Sequence, residues 1–111
     1  MYTSKEDIDE ISSLMRDIKD GKISRNKNYY TLAKSKEFNR YKRAKLLISL
    51  TEDLGRTAEI TGNKIKIRKE NGTVEISLFN PIMKYNRKVV VTEAELRLLL
   101  DWTDVTFEEE E

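Results

Sequence analysis

The chain has 111 residues, 37% of them charged, and a formal net charge of only +1. That length suits one domain with one modest core. It contains no Cys and no His, which excludes disulfides, thiol nucleophiles and thiolate metal sites, and removes the commonest general base and metal ligand.

Gln is absent too, while Lys, Glu and Ile are abundant. This pattern is that of hyperthermophile proteins and predicts a thermophilic source, archaeal or viral. No apolar run approaches the ~20 residues of a membrane span. The opening MYTSKEDIDE is acidic, unlike a signal peptide, so a cytoplasmic protein is expected. The charge is segregated: residues 22–45 hold nine basic groups and one acid, whereas residues 93–111 hold one basic group and eight acids. A basic middle between acidic ends points to a polyanionic partner; the alternative is a solvated surface whose signs mix on folding.

The spacing of Ile8, Ile11, Met15 and Ile18 predicts a first helix from about Ser4 to Asp20, N-capped by Ser4 and ended by Gly21. Its acids read as a solvated face. A basic connector, 22–28, leads to a second helix starting near Asn28 or Ser35 and reaching Leu54, with Gly55 as C-cap. Tyr41, Ala44, Leu47, Ile48, Leu50 and Leu54 form its core face. Lys36, Glu37 and Arg40 interrupt that face, which implies either a helix break near Ser35 or an open cleft. On the opposite side Lys34, Phe38, Lys42 and Lys45 form a stripe that would suit base stacking with phosphate contacts. The bland alternative packs Phe38 on a neighbouring element and leaves the lysines solvated.

Four antiparallel strands are expected next. Thr57 to Thr61 is the first, followed by a Gly62-Asn63 turn. Strands 64–70 and 73–79 flank Asn71-Gly72, the strongest short hairpin signal, because both turn positions need positive φ. That turn sets Glu70 opposite Thr73 and, further along, Lys64 opposite Phe79. One face then carries Ile65, Ile67, Val74, Ile76 and Leu78 toward the core. The other carries Lys64, Lys66, Arg68 and Phe79, with Glu75 as its acid. The plain reading of this second face is a lysine-decorated solvent side. A loop, 80–86, holds Lys84 and Tyr85 before a buried strand from Arg87 to Val91. Thr92-Glu93-Ala94-Glu95 is a capping box that starts a helix to about Trp102, with Trp102 in the core. Residues 1–104 form the expected α+β domain; residues 105–111 form an acidic, flexible tail that could occupy the basic face or contact proteins.

The four glycines are all used at helix ends and turns, so no glycine-rich phosphate loop remains. No GxSxG, HExxH or paired-carboxylate arrangement is present. No catalytic residue, metal or cofactor is expected, and the chain reads as a non-enzyme. The basic-aromatic surfaces instead predict a largely sequence-independent single-stranded nucleic-acid-binding protein, with single-stranded DNA favoured over RNA. The expected contacts are Lys34, Phe38, Arg40, Lys42, Lys45, Lys64, Lys66, Arg68, Phe79, Lys84, Tyr85 and Arg87. The alternative is a small dimeric protein-interaction module or transcriptional regulator, of viral type, binding a protein partner or duplex DNA.

Two helices, a four-stranded sheet, a closing helix, basic-aromatic surfaces and an acidic tail resemble the archaeal ThermoDBP-related single-stranded DNA-binding proteins. Residues 57–102, read as four strands leading into one helix, are similar in order to the PC4-type single-strand-binding core, although two helices precede the sheet here. Both resemblances imply a homodimer that binds single strands.

Overall fold

The computed structural model describes residues 5–22, 36–80 and 82–110, with side chains from 7 onward in the first helix and from 39 onward in the second. The fold is α+β: α1 (Lys5–Lys19), α2 (Lys36–Thr61), β1 (Lys64–Glu70), β2 (Thr73–Asn80), β3 (Tyr85–Thr92), α3 (Glu93–Trp102) and β4 (Thr106–Glu109). The sheet is mixed, in the order β3-β2-β1-β4, with β1 and β4 parallel. It is therefore not the all-antiparallel sheet expected from the sequence. The proposed N-cap Ser4 and the proposed helix starts Asn28 and Ser35 lie outside the described residues.

α1 ends as its sequence predicts. Gly21 takes φ +78°, and the Lys22 N–H donates to the Asp17 carbonyl, the six-to-one bond of a left-handed helix cap. α2 departs from expectation. It runs through Gly55 and absorbs residues 57–61, which the sequence suggested as a strand. Thr57 and Ala58 are buried and extend the Leu50–Leu54 stripe at helical spacing. That burial outweighs the ~1 kcal/mol an interior glycine costs. The helix stops where backbone geometry forces it to: Gly62 and Asn63 both take positive φ, and the Asn63 N–H donates to the Ala58 carbonyl. The pair predicted to turn between two strands is a helix cap.

The Asn71-Gly72 hairpin forms in the expected register from Glu70–Thr73 to Ile67–Ile76. Beyond Ile67 the two strands part. On its other edge the first half of β1 pairs with β4, Lys64 with Thr106 and Ile65 with Phe107. The expected Lys64–Phe79 pairing is absent, and the Phe79 N–H is taken by the Thr57 hydroxyl at 3.2 Å. β3 is an edge strand rather than a buried one: Val91 is buried, but Val90 is 54% exposed.

β4 replaces the flexible tail. Val105 and Phe107 pack against the core while the intervening side chains face outward, a two-residue alternation that the run of glutamates masks. Glu108 and Glu109 lie within ion-pair reach of Lys64 (3.9 Å) and Lys69 (3.2 Å).

α2 and α3 lie on the sheet face that carries Ile65, Ile67, Val74, Ile76 and Leu78, and α1 packs on both helices. Together with Met15, Leu47, Leu50, Leu54 and Leu99 these sheet residues make one core. Among the described residues no element covers the opposite face. Two ionic contacts fix the helices. Arg40, on the core-side arc of α2, bonds Asp7 at 2.9 Å and also Glu10, both on α1. This accounts for the charge that interrupts the apolar arc. Arg43 bonds the fully buried Glu95 through two nitrogens, and Glu95 also accepts from the Thr92 N–H in the capping box at α3. Burial pushes the Glu95 carboxyl up. The bonds from Arg43 and Thr92 outweigh it and hold the group below the usual glutamate range.

Candidate nucleic-acid interface

The twelve residues expected to form the interface fall in different places. Lys34 lies outside the described residues, and Phe38 is placed only by its backbone in α2. Arg40 is committed to α1 by its bonds to Asp7 and Glu10, and its side chain is only 16% exposed. It ties two helices together and is not offered to a ligand. Lys42 is exposed, whereas Lys45 is half-buried with its ammonium 5.4 Å from the Tyr41 ring centre. The Tyr41 ring is itself buried, so it offers no platform for a base.

Lys64, Lys66 and Arg68 point to the uncovered sheet face, because they alternate with buried Ile65 and Ile67. On β2, Glu75, Ser77 and Phe79 share that face by the same alternation with Val74, Ile76 and Leu78. Register adds Asn86, Lys88 and Val90 from β3, and Thr106 and Glu108 from β4. Lys88 is a cation on this face that the sequence reading passed over; its position opposite Ser77 follows once β3 is paired. Two of the cations are partly neutralised, Lys88 by Glu75 at 3.2 Å and Lys64 by Glu108 at 3.9 Å. Lys66 and Arg68 are exposed and make no ion pair among the described residues. Phe79 is half-buried.

Arg87 is on the other side. It pairs with buried Leu78 in register and reaches across to Asp53 of α2 at 2.7 Å; Arg56 reaches the same carboxylate at 2.6 Å. These groups, with Phe79 and Ile82, line a cleft of about 220 Å³. Lys84 occupies the β2–β3 turn at φ +56°, and Tyr85 follows it, 50% exposed. The α2 cations and the β1 cations therefore do not border one groove. α2 and α3 pack on the inner sheet face, so the exposed side of α2 and the outer sheet face look away from each other. A second cleft of about 370 Å³ opens where Lys19 stacks over the Trp102 ring at 4.9 Å, beside Ile48 and Thr51. Among the described residues no group of three or more acids could hold a metal ion. No helix of the described chain is long and apolar enough to cross a membrane.

No family model, no curated protein and no solved structure matches this chain. With residues 57–61 helical, three strands rather than four lead into α3. The order of elements that resembled the PC4-type core is not present.

Proposed function

We propose that this chain binds single-stranded nucleic acid, single-stranded DNA in preference to RNA, largely without regard to sequence, through the outer face of its sheet. One observation carries the reading: Lys66 and Arg68 stand uncommitted, two residues and so ~7 Å apart along β1, on a face that no described element covers. Single-strand binding needs cations along a surface and an aromatic on which a base can stack. Phe79, half-buried at the end of β2, alternates onto the same face while also bordering the Asp53 cleft, and supplies the aromatic. The wall is the sheet alone, so Lys64, Lys66, Arg68, Lys88 and Phe79 replace the longer set suggested by the sequence.

The test is binding to a labelled single-stranded oligonucleotide across a salt series. Affinity should fall with a log-log slope near −0.7 per phosphate contacted. Lys66→Ala and Arg68→Ala should each flatten that slope, and Phe79→Ala should weaken binding by roughly 1–3 kcal/mol through lost stacking. No binding at low salt would end the proposal.

A second reading rests on the mixed signs of this face. Glu75 and Glu108 neutralise part of it, which suits a protein surface better than a phosphate chain. It makes the chain a protein-interaction module or a regulator. Binding to duplex at least as tight as to single strand favours the regulator.

A further inference from the structure

The sheet has two edges, and they are built differently. The β4 edge is four residues long and carries Glu108 and Glu109, followed by Glu110 and Glu111. Like charges on a short strand repel a second copy and blunt the edge. β3 is eight residues long with no proline, and it exposes Tyr85 and Val90. The turn before it exposes Ile82 at 87% and Met83 at 65%.

The direction of the β3 backbone follows from three bonds. The Glu93 N–H donates to the Gly72 carbonyl of the hairpin turn, the Thr92 N–H turns away to Glu95, and the Phe79 N–H, opposite Asn86, turns away to Thr57. Antiparallel ladders alternate, so Tyr85, Arg87, Val89 and Val91 bond β2, while Asn86, Lys88 and Val90 aim their N–H and C=O groups off the open edge. None of these has a backbone partner within the described sheet.

We infer that β3 pairs antiparallel with β3 of a second copy, joining two four-stranded sheets into one of eight strands. Antiparallel pairing of a strand with itself is self-complementary under a twofold axis. Charge selects the register. Centring on Lys88 would face two lysines across the seam. Centring on Val89 sets Lys88 opposite Val90 of the second copy, so the outward groups of both find partners, and sets Asn86 opposite its Thr92, whose N–H stays with Glu95 and leaves only the Asn86 N–H to be paired across the seam. The same register lays the Lys84 turn of one copy beside the acidic start of α3, Glu93, in the other, twice by symmetry. The lysine that would guard such an edge is already drawn onto the sheet face by Glu75. A seam of one strand edge and the exposed turn residues is small beside specific interfaces, whose lower bound is about 1,000 Å² in total, so dimerisation is expected to be weak, in the micromolar range. The inference does not depend on nucleic-acid binding.

Sedimentation equilibrium over roughly 1–500 µM tests the association, and amide hydrogen exchange by NMR locates it. The expected result is a monomer–dimer equilibrium in which the Asn86, Lys88 and Val90 amides slow as concentration rises. Val90→Pro removes an outward N–H without touching the β2 ladder. Val90→Lys sets a cation against Lys88 of the second copy and serves equally if the proline variant does not fold. Either should weaken dimerisation at least ten-fold with an unchanged circular dichroism spectrum. A monomer at every concentration, a dimer that survives in the folded variants, or slow Lys88 and Val90 amides in a monomer would each overturn it.

Discussion

Replacing Glu95 by Gln isolates the charge that joins α2 to α3. Oε1 of Glu95 accepts from the Thr92 N–H at 2.9 Å and from Nη2 of Arg43; Oε2 accepts from Nε of Arg43. Glutamine also completes a capping box, so Glu95→Gln keeps the Thr92 contact. It sets an amide NH₂ against the Arg43 Nε–H and removes the negative charge. A hydrogen bond to a charged group contributes about 1.5–3 kcal/mol. Breaking a wholly buried pair costs about 3–5 kcal/mol, but Arg43 is 31% exposed and regains water. The expected loss is therefore about 2 kcal/mol, or about 8 °C in Tm for a chain of this length. Urea unfolding at neutral pH measures it. The Glu95 carboxyl titrates below its ordinary value of about 4.3. Its contribution is thus complete above that value and is lost as pH falls through the lower folded value. The gap between the two proteins should accordingly close in acid. A loss under about 0.5 kcal/mol, or an equal loss in an Arg43→Met background, would show that the two side chains are not coupled.

Two glycines should respond in opposite directions. Gly55 lies inside α2, is exposed, and a Cβ there meets nothing within 4 Å, so Gly55→Ala should stabilise by about 0.5–1 kcal/mol in thermal melts. Gly72 holds φ +81° in the hairpin, and Gly72→Ala should destabilise by about 1 kcal/mol in the same assay. Phe107→Ala should cost about 2 kcal/mol because the ring packs on the core; an unchanged denaturation midpoint would mean that β4 is not docked.

What could be read in the sequence was whatever a few adjacent residues decide. The Asn71-Gly72 register, the Thr92–Glu95 capping box and the core faces of α1 and β1 follow from local chemistry, and all are present. Misreadings arose where distant residues decide. Gly55 looked like a stop, yet the burial of Thr57 and Ala58 carries α2 through it. Glutamates 108–111 looked like a disordered run, yet Ile65 receives Phe107 in register and Lys64 and Lys69 supply countercharge. Arg40 looked like a phosphate contact because its acidic partners, Asp7 and Glu10, lie a helix away. For the interface, the alternation that exposes Lys64, Lys66 and Arg68 was legible. The separation of these residues from the α2 lysines was not, since it depends on which sheet face the helices choose.

β1 is shared lengthwise: residues from Ile67 onward belong to the hairpin, and those up to Ile67 belong to β4. The two halves are therefore completed at different stages of folding. The hairpin closes a two-residue loop and can form within microseconds. The β4 half must bring Ile65 and Phe107 together across about forty intervening residues, so its closure entropy is spent before any ladder bond rewards it. A chain still being synthesised carries the first half of β1 as a bare, lysine-rich edge until residue 109 has left the ribosome. Over that interval Lys64 and Lys66, rather than any later element, are what discourage another chain from adding to the sheet.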